Sequence, residues 1–427
     1  MTASPLPLKQ RVLGSAQRAW RTLPEPARHR FWTALRPTIE FYRFQSLARP
    51  SDIVPKRQDA PLVVAGLFST ASGLGEGARS TWRSLKAAGL SPLAVDLSDK
   101  FAPVDYQPEM PLHSMPDDVD GTLILQMNAP ETPAALRHLS MKRGRSWYTI
   151  GYWAWELPTF PTGWERPFPL LSEIWAISTF TAGAFQREDA PPISVFGHAI
   201  SPPETITPSC QKFGQRYGLP EDAFVFLATA DSMSSVERKN PMAAIAAHRA
   251  AFGDDPSAIL LVKTRNLDRA PKAKVHLESA TAGYQNIRLI DESLSEAARW
   301  ELLDAVDAVV ALHRSEGFGL VIAEAMAIGK PVITTDWSGN MDFCDEDTVW
   351  LVPSRLIDVH DPYGVYRVKH SQWADADTQH AAECLKVVRD DAFQRAQKTV
   401  KARDRIAHLA SPESLGKSMR KHLFDGT

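Results

Sequence analysis

The sequence has little cysteine and no long apolar segment. Its three cysteines, Cys210, Cys344 and Cys384, lie far apart in 427 residues. They form neither a CxxC pair nor a disulfide framework, which favours a reducing compartment and argues against a cysteine zinc site. No apolar run approaches the roughly 20 residues that span a bilayer, and the N-terminus lacks the apolar core of a signal peptide. We therefore expect a cytoplasmic protein that is neither secreted nor inserted in a membrane.

A strong overall charge is also missing, because the net charge is −2 and the pI is about 6.6. The chain as a whole is therefore not expected to bind nucleic acid. Residues 1–50 nevertheless carry nine Lys/Arg against two acids, a net +7, with aromatic residues interleaved. Two interpretations stay open for a basic helical extension over residues 1–58. It could lie on an anionic membrane surface at the inner face of the plasma membrane, or it could pack on the body of the protein.

Short apolar runs alternate with helical patterns along the rest of the chain. Leu62–Leu67 reads as a buried strand, and the pattern restarts near residue 222 with the run AFVFLATA. Such repeats predict parallel sheets covered by helices, so the fold class is α/β with two doubly wound, Rossmann-like domains facing across a cleft. We place these domains at residues 59–201 and 202–400. Residues 401–427 would form a C-terminal helix that could return to the first domain.

The most specific signal is the segment from His313 to Asn340, HRSEGFGLVIAEAMAIGKPVITTDWSGN. Glu316 and Glu324 in this segment are separated by seven residues. Glu316 falls in the loop after a predicted strand, whereas Glu324 lies on the helix that follows. The free N–H groups at a helix N-terminus suit a diphosphate, and a nearby carboxylate can accept hydrogen bonds from sugar or ribose hydroxyls. The pattern predicts a ligand that has both phosphates and hydroxyls, such as a nucleotide-sugar.

The segment EGFGLVIAEAMA resembles the E-x7-E motif of retaining GT-B glycosyltransferases, most closely glycosyltransferase family 4. The segments SGLGEGARSTWRSLKAAG, IGYWAWELPTFPTGW, IWAISTFTAGAF and VERKNPMAAIAAHRAAF resemble a bacterial polysaccharide-assembling branch of it. The resemblance covers residues 60–425. It implies a hexosyltransferase that takes a sugar from a nucleotide-sugar donor to a saccharide or lipid-linked acceptor. The products would be cell-surface polysaccharide, lipopolysaccharide or glycolipid.

The resemblance also implies roles for the residues of the E-x7-E segment. Glu324 would hold the ribose hydroxyls and Glu316 a hydroxyl of the donor sugar. Backbone amides of Phe318, Gly319 and Leu320 would face the diphosphate and the sugar.

Lys239 matches the lysine that neutralises the diphosphate in the family. The family usually has an arginine about six residues earlier, but Met233 occupies that position here. Arg238 or Lys263 could supply the second positive charge, and both could equally form salt bridges at the end of the sheet. The candidate catalytic residues are therefore Glu316, Lys239 and Arg238.

The resemblance implies that the N-terminal domain contributes its glycine loop and an acceptor-side segment. Gly73 and Gly75 would approach the diphosphate from across the cleft, unless they only shape a strand-to-helix turn. Trp153, Glu156 and His198 are candidates for the acceptor side. Core packing is the alternative for Trp153, and a hinge or packing role is the alternative for His198.

No DxD metal motif stands out, and GT-B enzymes resemble one another in working without a bound metal. We therefore expect neither a metal nor a cofactor. Two other functions stay open at this stage. One is a nucleotide-sugar epimerase or sugar phosphorylase on the same architecture, and the other is a non-catalytic, membrane-docked interaction protein.

Overall fold

The computed structural model describes residues 44–47, 59–117, 119–141, 147–206, 214, 216–362, 366 and 368–425. The predicted basic extension over residues 1–58 lies almost entirely outside this part of the chain, as does Cys210. Among the described residues, no helix is long and apolar enough to cross a membrane.

The N-terminal domain is built on a parallel sheet of six strands in the order β2-β1-β3-β4-β5-β6. Its central strands are buried on both faces, which explains why Leu62–Gly66 is a continuous apolar run. The strands are β1 (Leu62–Gly66), β2 (Leu93–Asp96), β3 (Gly121–Gln126), β4 (Trp147–Trp153), β5 (Glu173–Ala176) and β6 (Ile193–Val195). The helices are α1 (Gly73–Ala87), α2 (Ser98–Phe101), α3 (Thr132–His138) and α4 (Thr179–Phe185).

The C-terminal domain has a second parallel sheet, in the order β12-β11-β10-β7-β8-β9. The strands are β7 (Phe224–Asp231), β8 (Ala258–Arg265), β9 (Ile287–Asp291), β10 (Ala308–Ala311), β11 (Val332–Thr335) and β12 (Trp350–Val352). The helices are α5 (Val236–Lys239), α6 (Pro241–Phe252), α7 (Pro271–Thr281), α8 (Glu296–Ala305), α9 (Leu320–Ala327) and α10 (Thr378–Asp390). The strand order reverses between β7 and β10, and ligands of such sheets bind beyond the strand ends at this switch point. The prediction of an α/β fold with two Rossmann-like domains is confirmed.

An antiparallel hairpin was not predicted from the sequence. It consists of β13 (Ser354–Asp358) and β14 (Gln372–Ala376), which pair with each other and with no strand of the two large sheets. The hairpin lies between β12 and α10 in the chain. Its Trp373 is packed in an aromatic cluster with Trp155 and Trp164 of the N-terminal domain. An element of the C-terminal domain therefore covers part of the N-terminal one.

The last helices, α11 (Ala392–Ala410) and α12 (Pro412–Arg420), lead back to the N-terminal domain. The amide of Ile200 donates to the Ala410 carbonyl at 2.7 Å. Helix α12 approaches α1 so closely that a Cβ at Gly416 would lie 1.9 Å from the Ser84 carbonyl oxygen. A glycine at this position lets two helix backbones come into contact. The C-terminal residues thus belong structurally to the first domain.

Candidate active site

Lys239 and Glu316 meet at the switch point of the C-terminal sheet. Lys239 ends the short helix α5 after β7, and Glu316 follows β10. The Lys239 Nζ lies 2.5 Å from Glu316 Oε1. A small cavity lies beside this ion pair and is lined by Thr229, Lys239, His313, Glu316 and Gly319. The fold thus brings together Lys239 and Glu316, which are 77 residues apart in the sequence.

Sharp turns at both ends of α5 position Lys239. Ser235 and Asn240 both have positive φ, 67° and 52°. The Ser235 hydroxyl caps the helix by accepting from the Arg238 amide, and the Asn240 side chain donates to the Leu312 carbonyl at 3.0 Å. The second bond ties α5 to the end of β10. The orientation of Lys239 toward Glu316 is therefore fixed by buried polar contacts at both ends of one helical turn.

Arg238 holds the Glu316 loop from behind. Its side chain is 3% exposed and its Nη1 lies 2.6 Å from the Ser315 carbonyl and 3.0 Å from Glu316 Oε2. Burial alone would raise the pKa of Glu316, but Lys239 and Arg238 outweigh it and hold this pKa well below its ordinary value. Arg238 was predicted as a candidate for direct contact with the diphosphate. The structure instead buries its guanidinium among carbonyls and the Glu316 carboxylate.

The loop from Glu316 to Gly319 is shaped by close backbone contacts. The Glu316 amide donates to the Ser338 hydroxyl at 2.8 Å, and the Gly339 amide donates to the Glu316 carbonyl at 2.9 Å. A Cβ at Gly339 would lie 2.0 Å from the Gly317 carbonyl oxygen, so only glycine fits there. Gly319 precedes α9 with a φ of 98° and offers no side-chain cap. The first amides of α9 therefore remain available for an anion.

Phe318 faces away from the cavity. Its ring packs on Phe343 at a centroid distance of 5.0 Å and on His198 at 5.2 Å. The Phe318 side chain does not line the cavity, and the contact of its backbone amide with a diphosphate stays a prediction. Leu320 begins α9, and its Cδ1 lies 4.0 Å from the position of a Cβ on Gly73.

His313 is a buried residue that braces the same loop. Its Nδ1 lies 3.0 Å from the Ala311 carbonyl, and its Nε2 lies 3.1 Å from both the Trp337 carbonyl and Asn340 Oδ1. Burial lowers the pKa of His313, although the Glu316 carboxylate acts against this shift. The ring therefore ties the start of the motif to its end at Asn340.

Glu324 is 4% exposed and lies on the first turns of α9. It forms an ion pair with Arg299 of α8. Burial raises the pKa of Glu324, and Arg299 offsets part of this rise. The charges of Glu76 and Glu296 also raise the pKa of Arg299, so three carboxylates surround one arginine. Arg299 was not predicted, because a single arginine on a helix carries no motif.

Lys263 is half-buried near the carboxyl end of β8. It pairs in register with Thr229, which lines the cavity, so the two side chains share one face of the sheet. Burial lowers the pKa of Lys263, and the charge of Arg265 adds to this effect. The charges of Asp231, Glu292 and Asp291 act in the opposite direction, but burial outweighs them. An anion at the cavity would offset the cost of burying this ammonium.

The glycine loop of the N-terminal domain faces α9 across the cleft. Gly73 begins α1 beside Leu320, whereas Gly75 is packed inside its own loop, where a Cβ would lie 2.1 Å from the Thr70 carbonyl oxygen. The Ser72 hydroxyl caps α1 by accepting from the Gly75 amide at 3.1 Å. The structure thus places Gly73 at the cleft surface and gives Gly75 a packing role in the turn.

The two domains touch along both sides of the cleft. Arg265 donates to the Ala71 carbonyl at 2.9 Å. On the other side, Asp342 accepts a 2.8 Å hydrogen bond from the Thr179 amide and thereby caps α4 of the opposite domain. These hydrogen bonds join the two domains directly.

The residues predicted for the acceptor side have different environments. Trp153 is 0% exposed and packs on Trp164 and Phe168, so it does not reach the cleft surface. His198 is buried between α1 and Phe318, and burial lowers its pKa to about 4. The placement of Trp153 corrects the prediction of a stacking surface and fits its alternative, core packing. Glu156 is half-buried near Gly317, and a Cβ on Gly317 would lie 3.6 Å from Glu156 Cγ.

No three His, Cys, Asp or Glu side chains are grouped so that they could hold a metal ion in the part of the chain that the structure describes. The expectation of a reaction without metal stays a prediction.

Residues 257–360 match a protein family described as Glycosyl transferases group 1. This range contains both motif glutamates. No curated protein sequence matches the chain. Among solved structures, a glycosyltransferase from Rickettsia africae ESF-5 is 14% identical with a TM-score of 0.60, covering 86% of this chain and all of its own. The chain has the GT-B fold.

Two further solved structures support the same fold. Anabaena HepE, solved in complex with UDP and glucose, is 14% identical with a TM-score of 0.59, over 85% of this chain and 99% of its own. A sucrose-phosphate synthase from Thermosynechococcus elongatus is also 14% identical, with a TM-score of 0.56 over 85% of this chain and 98% of its own. The GT-B fold and the match over the two motif glutamates together indicate a glycosyltransferase.

Proposed function

We propose that the protein is a retaining glycosyltransferase of family 4 that transfers a hexose from a nucleotide-sugar to a saccharide or lipid-linked acceptor. The observation that carries this proposal is the Lys239–Glu316 ion pair at the switch point, beside the uncapped N-terminus of α9. Positive groups and a carboxylate lie side by side there, as a ligand with phosphates and hydroxyls requires.

The donor would lie along α9. Its ribose hydroxyls would bind Glu324, and this requires Arg299 to give up part of its contact with that carboxylate. Its diphosphate would lie at the α9 N-terminus, between the amides of Gly319 and Leu320 and the ammonium groups of Lys239 and Lys263. Its hexose would reach Glu316, which the adjacent cations keep ionised and able to accept hydroxyl hydrogen bonds.

Transfer builds negative charge on the departing diphosphate, and a fixed ammonium lowers the free energy of that transition state. Lys239 would fill this role. We infer front-face attack, in which the acceptor oxygen forms its bond to the anomeric carbon while the bond from that carbon to the phosphate oxygen breaks. The acceptor proton passes to the leaving phosphate. Glu316 is engaged by Lys239 and Arg238, which argues against its acting as a covalent nucleophile.

We further propose that the enzyme works in the cytoplasm on the assembly of cell-surface polysaccharide, lipopolysaccharide or glycolipid. The segment resemblance supports this, and residues 1–50 could hold the enzyme at an anionic membrane. HepE was solved with UDP and glucose, so UDP-sugars are the first donors to test.

The decisive experiment measures nucleoside diphosphate release from UDP-, GDP- and ADP-sugars at subsaturating donor, with Glu324→Ala as the variant of weakened donor binding and Lys401→Met as a surface control. We expect release from one donor class in the wild type and the control and a large loss in Glu324→Ala. Analysis of the released sugar separates transfer from epimerisation, because an epimerase returns an altered hexose. If the wild-type protein neither binds nor cleaves any of these donors, the proposal is wrong.

A further inference from the structure

Arg265 joins the two domains at the carboxyl end of the C-terminal sheet. It ends β8, where it pairs in register with Asp231, the last residue of β7. Its Nε and Nη2 lie 2.9 and 2.5 Å from Asp231 Oδ2, and its Nη1 donates to the Ala71 carbonyl of the opposite domain at 2.9 Å. One guanidinium is therefore oriented by a carboxylate of its own domain while it holds a loop of the other domain.

Ala71 belongs to the loop over residues 67–72, which leads from β1 into α1. The Ala71 amide donates to Asp105 Oδ1 at 2.7 Å, and Arg79 Nη1 donates to two further carbonyls of the loop at 2.8 and 3.0 Å. The N-terminal domain thus fixes the shape of the loop by itself. Arg265 adds a contact that determines where the loop lies relative to the C-terminal domain.

A second contact on the same side joins the domains. The Arg79 guanidinium carbon lies 3.8 Å from the centre of the Tyr106 ring, and the Tyr106 amide donates to the Ser69 carbonyl of the loop at 3.1 Å. The Tyr106 hydroxyl donates to the carboxylate of Glu296, at the start of α8. The loop and its supporting residues therefore meet the C-terminal domain at β8 and again at α8.

These contacts hold one helix N-terminus beside another. Helix α1 begins at Gly73, two residues after Ala71, and a Cβ on Gly73 would lie 4.0 Å from Leu320 Cδ1 at the start of α9. The Ser72 hydroxyl accepts from the Gly75 amide, whereas the earlier amides of α1 have no acceptor within the helix. Both helix ends carry partial positive charge, so they repel each other unless an anion lies between them. Hydrogen bonds between the domains offset this repulsion.

We propose that Arg265 is a positioning residue that keeps the start of α1 beside the start of α9, so that both helix ends act on the same diphosphate. Asp231 orients the guanidinium, and Arg265 itself does not contact the phosphates. Because the arrangement exists before the donor binds, less of the binding free energy is lost on ordering the domains. The inference rests on the proposed function, which puts the diphosphate at the α9 N-terminus.

The test compares Arg265→Met, Asp231→Asn and the double variant with a control, Arg389→Met. Arg389 is the matched control, because its Nη1 lies 2.9 Å from Asp255 Oδ2 and its side chain is 26% exposed, against 23% for Arg265. Asp255 precedes β8, so this pair lies at the end of the sheet opposite the cleft. Calorimetry with UDP and UMP, or with the diphosphate and monophosphate of the donor that the wild type cleaves, reports nucleotide binding. Hydrogen exchange without nucleotide reports the amides of residues 67–72.

We expect Arg265→Met to lower the affinity for UDP and the kcat/KM of donor cleavage about tenfold, the size expected for one hydrogen bond from a charged group. UMP should bind with unchanged affinity, since it lacks the second phosphate. Residues 67–72 should exchange faster, because their contact with the other domain is lost. Asp231→Asn should act in the same direction, and the double variant should be no worse than Arg265→Met, because both changes remove one contact. Arg389→Met should match the wild type.

Stronger UDP binding in Asp231→Asn would overturn the inference, because it indicates that Arg265 contacts the phosphates directly once the neighbouring carboxylate is neutralised. Wild-type UDP affinity in Arg265→Met, or wild-type exchange of residues 67–72, would also overturn it and leave the proposed function intact. So would an equal loss of UMP and UDP affinity with a lower melting temperature, which indicates a general structural role. If the wild-type protein neither binds nucleotide nor cleaves donor, the proposed function itself is wrong, and this inference with it.

Discussion

Replacing Lys239 with methionine removes one of the two cations that surround Glu316. Methionine keeps most of the aliphatic volume, so the change isolates the charge. Removing one preorganised charge contact from an active site lowers kcat by about 10²- to 10³-fold. We expect a loss of this size in nucleoside diphosphate release, with a smaller effect on donor affinity, because the charge that Lys239 neutralises grows in the transition state.

The same substitution changes stability, and the structure limits by how much. Breaking a buried ion pair costs about 3–5 kcal/mol when the remaining charge is left alone. Here Arg238 stays within 3.0 Å of Glu316, and the Lys239 side chain is 22% exposed. We therefore expect a loss of about 1–2 kcal/mol at pH 7, below the range for a fully uncompensated charge. Urea unfolding measures it.

The stability lost in Lys239→Met should be larger at neutral pH than at acid pH. Glu316 has a depressed pKa in the folded protein, so its stabilising contribution is present above about pH 4.3, the ordinary glutamate value, and is lost as the pH falls through the folded pKa. In Lys239→Met the pKa of Glu316 in the folded protein rises, so its carboxylate stabilises the fold over a narrower pH range. The two proteins should therefore differ more in stability at pH 7 than at pH 3.

Lys401→Met is the matched control, because Lys401 also pairs with a carboxylate, Asp347 at 2.8 Å, but on the exposed surface. It should leave turnover and stability unchanged within error. If Lys239→Met turns over the donor at nearly the wild-type rate while Lys401→Met behaves as expected, Lys239 does not stabilise the leaving group. A stability difference that grows toward acid pH would contradict the electrostatic account of Glu316.

Three further predictions concern the donor, metal ions and the membrane. Glu324→Ala should weaken nucleoside diphosphate binding in calorimetry, whereas Glu316→Ala should mainly lower turnover and donor selectivity. Donor cleavage should survive EDTA, because the ammonium of Lys239, its basic neighbours and the α9 N-terminus supply positive charge. The protein should float with anionic liposomes at low salt, because each basic side chain near the membrane surface contributes about 1 kcal/mol. High salt should release it, since salt screens exposed charges. A protein lacking residues 1–50 should not float.

The opposite result contradicts each of these predictions. Loss of nucleoside diphosphate affinity in Glu316→Ala but not in Glu324→Ala would reverse the two roles. If EDTA abolishes donor cleavage and magnesium or manganese restores it, the ammonium of Lys239, its basic neighbours and the α9 N-terminus do not supply the required positive charge. Equal flotation with and without residues 1–50 would assign that segment to packing and make a water-soluble acceptor the better candidate.

Local sequence patterns predicted the two sheets, because continuous apolar runs that alternate with helical patterns are typical of parallel strands. The ion pair between Lys239 and Glu316 was not predicted, since the family resemblance implied only that both residues contact the donor. The resemblance also made Trp153 an acceptor-side candidate, but Trp153 and Tyr152 are neighbours in a strand and point to opposite faces. The adjacent Tyr152 packs near His198, whereas Trp153 enters the aromatic cluster with Trp164. Proximity of a segment to the cleft therefore does not decide which of its residues reach it.

Tyr366 and Arg299 could not be found from the sequence. Neither residue belongs to a motif, and each acquires its partner through packing between distant segments. Tyr366 packs on Trp155 only because a hairpin that joins neither large sheet folds over the opposite domain. Arg299 meets Glu324 because the fold brings one side chain of α8 within reach of one side chain of α9. In both cases the decisive contact depends on tertiary structure and not on a spacing that can be read along the chain.

The contact of α12 with α1 has a consequence for how the protein is made. Leu415 and Met419 of α12 share a buried cluster with Leu85 of α1, and Arg420 donates to the Ala88 carbonyl at 2.9 Å. During translation, α1 emerges more than 300 residues before the helix that covers it. The second Rossmann unit can form its sheet on the ribosome, whereas the first keeps an apolar helix face uncovered until residues 412–420 have left the ribosome. Chaperone dependence should therefore concentrate on the first half of the chain.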